Sequence, residues 1–93
     1  MKFIFKSIIE ENRSGTFDIP RSFFRREPDA VMSVMSKMAI VRCESLELED
    51  AFRYIAYSPL FEPMNAEFEC PKYTIIVTKD DNSFTVQAIK DEN

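Results

Sequence analysis

The chain has 93 residues, which is enough for one domain with a single modest hydrophobic core and too few for two. It contains no histidine, two cysteines and one glycine. It therefore lacks the commonest general base, the four ligands of a structural zinc site and a glycine-rich phosphate loop, and we predict no enzyme, metal site or cofactor. The net charge is −4 and no apolar run of about 18 residues is present, which predicts a cytoplasmic protein without a membrane span.

Two strands are predicted at the start of the chain. Residues 2–9 are rich in phenylalanine and isoleucine, as buried strands are. A polar turn over residues 10–15 holds the only glycine, Gly15. We expect residues 16–19 to return as a second strand that ends at Pro20.

Two amphipathic helices are predicted in the middle of the chain. In the first, which begins at Pro28, the residues at i, i+3, i+4 and i+7 are Val31, Val34, Met35 and Met38. A second apolar stripe at helical spacing, ended by Ser58 and Pro59, comprises Leu48, Ala51, Phe52, Ile55 and Ala56. Residues 39–43 between the stripes include the β-branched Ile40 and Val41 and predict a short strand. We expect Met35 and Phe52 to be fully buried against the sheet.

The clearest strands are residues 73–78 and 84–89 near the end of the chain. The five residues 79–83 between them predict a hairpin loop in which Asn82 takes the left-handed conformation. Residues 59–71 contain three prolines and predict an irregular loop. Its apolar side chains should cover the edge of the core or a neighbouring subunit, and they are Leu60, Phe61, Met64 and Phe68.

Together these elements predict an α+β fold in the order ββαβαββ, with an antiparallel sheet of four to five strands and two helices on one face. We expect a single domain over residues 1–90 and a flexible tail over residues 91–93. Cys43 lies in a predicted strand and is expected to be a small core residue. Cys70 precedes Pro71 in the loop, and the redox state and any pairing of the two cysteines stay open.

Charge is divided unevenly along the chain. Residues 1–42 carry eight basic and five acidic side chains, whereas residues 43–93 carry four basic and eleven acidic ones. An acidic surface with neighbouring aromatic side chains is typical of a protein-binding site. The predicted partner-binding residues are Glu44, Glu47, Glu49, Asp50, Tyr54, Tyr57 and Phe61.

The segment RSFFRR, with three arginines around two phenylalanines, is the alternative site. Arg21, Arg25 and Arg26 could hold a phosphate-bearing nucleotide, because guanidinium groups match phosphate oxygens. The acidic residues close enough in sequence to pair with these arginines instead are Asp18, Glu27 and Asp29. Because such pairing would cancel the basic patch, we prefer the acidic surface, and direct binding of nucleic acid is not predicted.

In general character the chain is short, acidic and histidine-free, with one glycine and no catalytic motif. In this it resembles the small accessory proteins encoded by bacteriophages, and the resemblance is one of type and not of any sequence motif. It implies an inhibitor that acts by stoichiometric binding to a host protein. We therefore predict a viral protein-binding module that forms homo-oligomers through the loop over residues 59–71 or the edge of the final hairpin. A nucleotide sponge and a structural assembly subunit are the alternatives.

Overall fold

The computed structural model describes residues 12–64 and 70–91. Its elements in chain order are β1 (Ser14–Pro20), α1 (Arg21–Arg26), α2 (Pro28–Met35), β2 (Ala39–Leu46), β3 (Ala51–Tyr57), β4 (Tyr73–Asp80) and β5 (Ser83–Lys90). The predicted α+β class is confirmed. The strand predicted over residues 2–9 lies outside the described residues. The segment RSFFRR, predicted as a loop, is the short helix α1.

The strands form two antiparallel sheets, where the sequence had predicted one. The first has the order β1-β3-β2 with β3 in the centre, and the second is the hairpin β4-β5. The two sheets meet at a parallel bridge between Thr16 and Lys72, where the Thr16 N–H donates to the Pro71 carbonyl oxygen at 2.8 Å. This bridge is isolated, so β1 and β4 touch at one end without forming a continuous ladder.

The predicted second helix is wrong, because residues 51–57 form the central strand β3. Phe52, Tyr54 and Ala56 alternate along this strand and lie opposite Ile19, Phe17 and Gly15 of β1. The same apolar residues fit both a helical and an alternating spacing, and the aromatic and β-branched content of the segment favours the strand. The order of elements is therefore βααββββ over the described residues, not the predicted ββαβαββ.

The hydrophobic core lies where β1, β3, α2 and the hairpin meet. Its buried members are Phe17, Ile19, Val31, Val34, Tyr54, Ala56, Phe61, Tyr73 and Val86. The helix predicted from Pro28 is confirmed, and Ala30, Val31 and Val34 are its buried face. Met35 and Phe52 are only partly buried, which corrects the expectation of full burial. Both lie at the margin of the cluster: Met35 ends α2, and Phe52 packs against the Phe24 ring of α1.

The segment after β3 covers the core of its own chain. Phe61 is 1% exposed and stacks on Tyr73 with ring centroids 4.4 Å apart, and the Glu62 N–H donates to the Tyr73 hydroxyl at 2.9 Å. Leu60 packs against the same cluster and Met64 is half-buried, whereas Phe68 lies outside the described residues. Of the two predicted roles for this segment, covering the core edge is therefore the one that Phe61 fulfils.

The final hairpin matches the predicted strands, but its turn is tighter than predicted. Asp80 pairs with Ser83, so two residues form the connection instead of five. The residue with positive φ is Asp81 (49°), not Asn82. An aspartate tolerates this conformation because its short side chain bonds locally.

Candidate partner-binding surface

The turn between β2 and β3 carries three carboxylates and one exposed leucine. We call residues Glu47, Leu48, Glu49 and Asp50 the acidic turn. All four are exposed, and Leu48 is 98% exposed, the largest value among the exposed apolar side chains of the described residues. Asp50 has a positive φ of 51° and so performs the tight reversal without a glycine.

Arg21 of α1 holds the acidic turn against the sheet. Its backbone N–H donates to the Asp50 carbonyl oxygen at 3.0 Å, and its Nη2 donates to Glu47 Oε1 at 3.0 Å. Arg21 Nε lies 3.4 Å from Asp50 Oδ1 and has no hydrogen-bond partner, so this third contact is a longer ion pair. The guanidinium also lies over the Phe52 ring, 4.7 Å from its centroid. The turn is thus fixed at both ends by one side chain.

Ser45 completes this small network. Its hydroxyl accepts a hydrogen bond from Arg21 Nη2 and donates one to Glu47 Oε1 at 2.7 Å. The Ser45 hydroxyl, and next to it the Arg21 charge, lower the pKa of Glu47 below its ordinary value. The Glu47 carboxylate therefore keeps its negative charge to a lower pH than an ordinary glutamate does.

The structure brings together only part of the predicted partner-binding set. Glu47, Glu49 and Asp50 share the acidic turn, and Glu44 is exposed on the adjoining strand β2. The aromatic residues lie elsewhere. Tyr54 and Phe61 are buried in the core, and Tyr57 is half-buried at the end of β3. Tyr54 lies on the face of the central strand β3 that meets the core, and Phe61 covers the same core from the segment after β3, so neither side chain is available to a partner.

The apolar side chain that accompanies the acids is Leu48, which sequence reasoning assigned to a helix. Its two glutamate neighbours were the available signal, since a buried helical stripe seldom starts between two charges. Cys43, predicted to be a core residue, is instead exposed and free on the edge strand β2. It contacts Tyr54, where burial raises the pKa of the Tyr54 phenol to about 12 and the Cys43 thiol adds to the rise.

The three arginines of the alternative site have different surroundings. Arg21 is engaged by the acidic turn, whereas Arg25 and Arg26 are exposed in the last turn of α1 and make no ion pair within residues 12–64 and 70–91. The acids predicted to neutralise them do not do so. Glu27 and Asp29 form no ion pair within the same ranges, and Asp18 pairs with other cations.

Charges of alternating sign cross the three-stranded sheet, and we call them the charge row. Lys72 Nζ lies 3.3 Å from Asp18 of β1, and Asp18 accepts hydrogen bonds of 2.8 and 3.0 Å from Arg53 of β3. Arg53 is in turn the cross-strand partner of Glu44 on β2. The hydrogen bonds from Arg53, with Lys72 adding to them, lower the pKa of Asp18. The row ends at Glu44, on the outermost strand of this sheet.

Three further observations bear on the class of protein. No helix within the described parts of the chain is long and apolar enough to cross a membrane. Over the same residues, no group of three or more cysteine, aspartate or glutamate side chains is arranged to hold a metal ion. Comparison with models of protein families, with curated proteins and with solved structures found no match to this chain.

Proposed function

We propose that this chain is a non-enzymatic binding protein that inserts its acidic turn into a host protein and inhibits it by occupancy. The observation that carries this proposal is Leu48, which projects almost fully exposed from a turn with three carboxylates that Arg21 holds in place. The partner that fits this surface has a small apolar pocket with a basic rim. The role is that of the bacteriophage accessory proteins which the chain resembles in general character.

Three contributions to the free energy of binding favour the acidic turn as a binding site. Burying a leucine side chain contributes about 1.5–3 kcal/mol, and this gain is available only to a partner because Leu48 contacts so little of its own chain. Fixing the turn in advance reduces the entropy that binding would otherwise lose. The carboxylates of Glu47, Glu49 and Asp50 attract a basic partner and orient it before contact.

A nucleotide sponge remains the second candidate, because Arg25 and Arg26 are exposed without carboxylate partners in the described parts of the chain. Arg21 supports it less. A phosphate that approached Arg21 would meet Glu47 and Asp50, whose oxygens lie 3.0 and 3.4 Å from the guanidinium. The third candidate, an assembly subunit that packs through residues 59–71, has less free apolar surface than predicted, since Phe61 is buried in its own chain.

The test uses affinity capture from a bacterial lysate, followed by affinity measurement on the captured protein. Leu48→Ser removes the apolar contact, and we expect the Kd for the partner to rise roughly 10–100-fold, the scale of an interface hot spot. Glu49→Lys tests the contribution of negative charge to binding. Glu49 has no contact with Arg21, so this variant keeps the contacts of Arg21 with Glu47 and Asp50 that hold the turn. Asp80→Lys makes the same charge change on the distant hairpin and should bind normally.

The same experiment separates the two candidate functions. Under the proposal, the Arg25→Ala/Arg26→Ala variant keeps its protein partner, and binding weakens as salt increases. A nucleotide sponge would show the reverse pattern. Nucleotide would be extracted from the purified wild type and from Leu48→Ser, but not from the Arg25→Ala/Arg26→Ala variant. That pattern, or full partner affinity in both Leu48→Ser and Glu49→Lys, would refute the proposal.

A further inference from the structure

Strand β2 is an edge strand with an open side. It spans eight residues, Ala39–Leu46, and within the described chain it pairs only with β3. All of its residues except Leu46 are exposed, including the apolar Ile40 (41%) and Val41 (61%). The backbone N–H and C=O groups on the open side of such a strand are a template for another strand. Exposed β-branched side chains beside these groups increase the apolar surface area that a pairing strand would bury.

The charge row specifies what the next strand should carry. Lys72, which directly precedes β4, is followed in the row by Asp18 of β1, Arg53 of β3 and Glu44 of β2, and the row stops at the negative Glu44. Directly opposite charges on neighbouring strands stabilise a sheet, and like charges destabilise it. A strand that joins β2 should therefore place a cation opposite Glu44. Arg42, two residues before Glu44 on the same strand, is such a cation, and the two side chains lie 3.8 Å apart.

We propose that the occupant is a second copy of this chain, with the two β2 strands antiparallel and a two-fold axis at Cys43. In this register Arg42 of each copy lies opposite Glu44 of the other. Residues that face each other directly in an antiparallel ladder point to the same side of the sheet. A two-fold axis between two copies of one strand must therefore lie between a residue and the same residue of the other copy. Centring the pair on Arg42 or on Glu44 would oppose like charges. Among these three registers, only the one at Cys43 is electrostatically self-complementary.

The remaining contacts agree with this register. The exposed apolar residues Ile40 and Val41 directly precede the paired segment in each copy, so a second strand would cover apolar surface at both ends. The irregularity in the β2–β3 ladder falls between Ile40 and Arg42, outside the three central pairs. The open side of β5 offers no comparable match, because Lys90 is the sole charged residue of that strand and has no acid to meet in a second copy.

A charge exchange tests the register directly. Arg42→Glu opposes four carboxylates at the axis and Glu44→Arg opposes four guanidinium groups, so we expect each to raise the dimer Kd by roughly tenfold or more. The double variant Arg42→Glu/Glu44→Arg restores opposite charges across the axis and should dimerise like the wild type. Sedimentation equilibrium gives the three constants, and circular dichroism checks that each variant is folded. Arg42 and Glu44 have side chains that are 67% and 46% exposed, which limits the cost of their exchange to the fold. Glu44→Arg also places a cation opposite Arg53 of β3, so thermal unfolding of each variant is needed to separate this loss of stability from a change in dimerisation.

Cross-linking through Cys43 provides a second, independent measurement. Directly opposed residues of an antiparallel pair have Cα atoms about 4.5–5.5 Å apart, within the range of about 4.4–6.8 Å that a disulfide requires. Cys43 is free and exposed, so diamide, which accepts the two electrons and two protons, should convert the Cys70→Ser variant to a covalent dimer. Cys43→Ser with Cys70 retained is the matched control, and it should stay monomeric on a denaturing gel.

The results that would overturn the proposal are distinct. A wild-type chain that stays monomeric at hundreds of micromolar would refute pairing between two copies. A dimer that is unchanged by Arg42→Glu and does not cross-link through Cys43 uses a different surface. Neither result depends on the acidic turn, because Leu48→Ser leaves β2 intact and should dimerise normally.

Discussion

Single side chains and the spaces between them decide how the core closes. Gly15 was predicted to lie in a turn, but it is buried within β1, and it is needed there for close packing rather than for a positive φ. A Cβ atom at this position would lie 2.7 Å from the Tyr73 ring and 2.9 Å from the Phe61 ring. These two rings stack over the strand and leave no room for a methyl group.

We therefore expect Gly15→Ala to destabilise the fold, since overpacking a core costs about 1–3 kcal/mol. Urea denaturation of the variant and the wild type measures this free energy of unfolding. Thr85→Ala, on an exposed position of β5, is the control for an ordinary strand substitution and should change stability by less than about 0.5 kcal/mol. Equal stability of Gly15→Ala and the wild type would show that the rings can move aside.

The charge row makes stability depend on acid through Asp18. Because Arg53 and Lys72 lower the pKa of Asp18 in the folded state from 3.8, the unfolded chain takes up the proton first as pH falls. The stabilisation by ionised Asp18 is therefore complete above about pH 4 and is lost as pH falls through the lowered pKa. In the Asp18→Asn variant, the free energy of unfolding should therefore decrease less steeply as pH falls through this range.

Urea denaturation at a series of pH values checks this expectation. Asp80→Asn is a suitable control, because Asp80 is exposed and makes no ion pair within the described residues. It should retain the acid dependence of the wild type. If the slopes of wild type and Asp18→Asn coincide, the charge row contributes nothing to acid stability.

At the scale of elements, α1 has a role that no sequence pattern indicated. It was expected to be a loop, yet its first residue, Arg21, binds both ends of the acidic turn. Such a contact joins residues more than 20 positions apart in sequence, so local spacing carries no trace of it. The turn itself was equally hidden, because residues 47–50 contain no glycine, proline or asparagine and Asp50 supplies the positive φ.

Arg21→Ala should therefore loosen the acidic turn without unfolding the protein. Exposed ion pairs contribute about 0.2–1 kcal/mol each, so we expect a loss of stability of about 1 kcal/mol. Amide hydrogen exchange over residues 47–50 should become faster, and partner affinity should fall because the turn must then be ordered on binding. Arg25→Ala removes the same charge from the same helix and should leave the exchange rates unchanged. Unaltered exchange in Arg21→Ala would mean that the backbone alone fixes the turn.

Local patterns account for what could be predicted. The strands after Thr16 and Tyr73 and the helix from Pro28 follow from alternation, β-branching and a proline at the first helical position. Strand β3 could not be assigned in the same way, because its apolar residues satisfy two periods at once. The carboxylates of the candidate surface were predicted from the uneven distribution of charge along the chain. Leu48 was missed because the same ambiguity placed it in a helical stripe.

At the scale of the whole molecule, the position of β2 beside the acidic turn has a geometric consequence. Cys43 and Leu48 are five positions apart, which corresponds to roughly 16 Å of extended chain. Two copies paired antiparallel at Cys43 would carry their leucines roughly 30 Å apart, at opposite poles and pointing away from each other. In such a dimer the two acidic turns are too far apart to bind the same small target molecule. The dimer would instead be bivalent and would link two target molecules. It would cross-link a multimeric target into large assemblies.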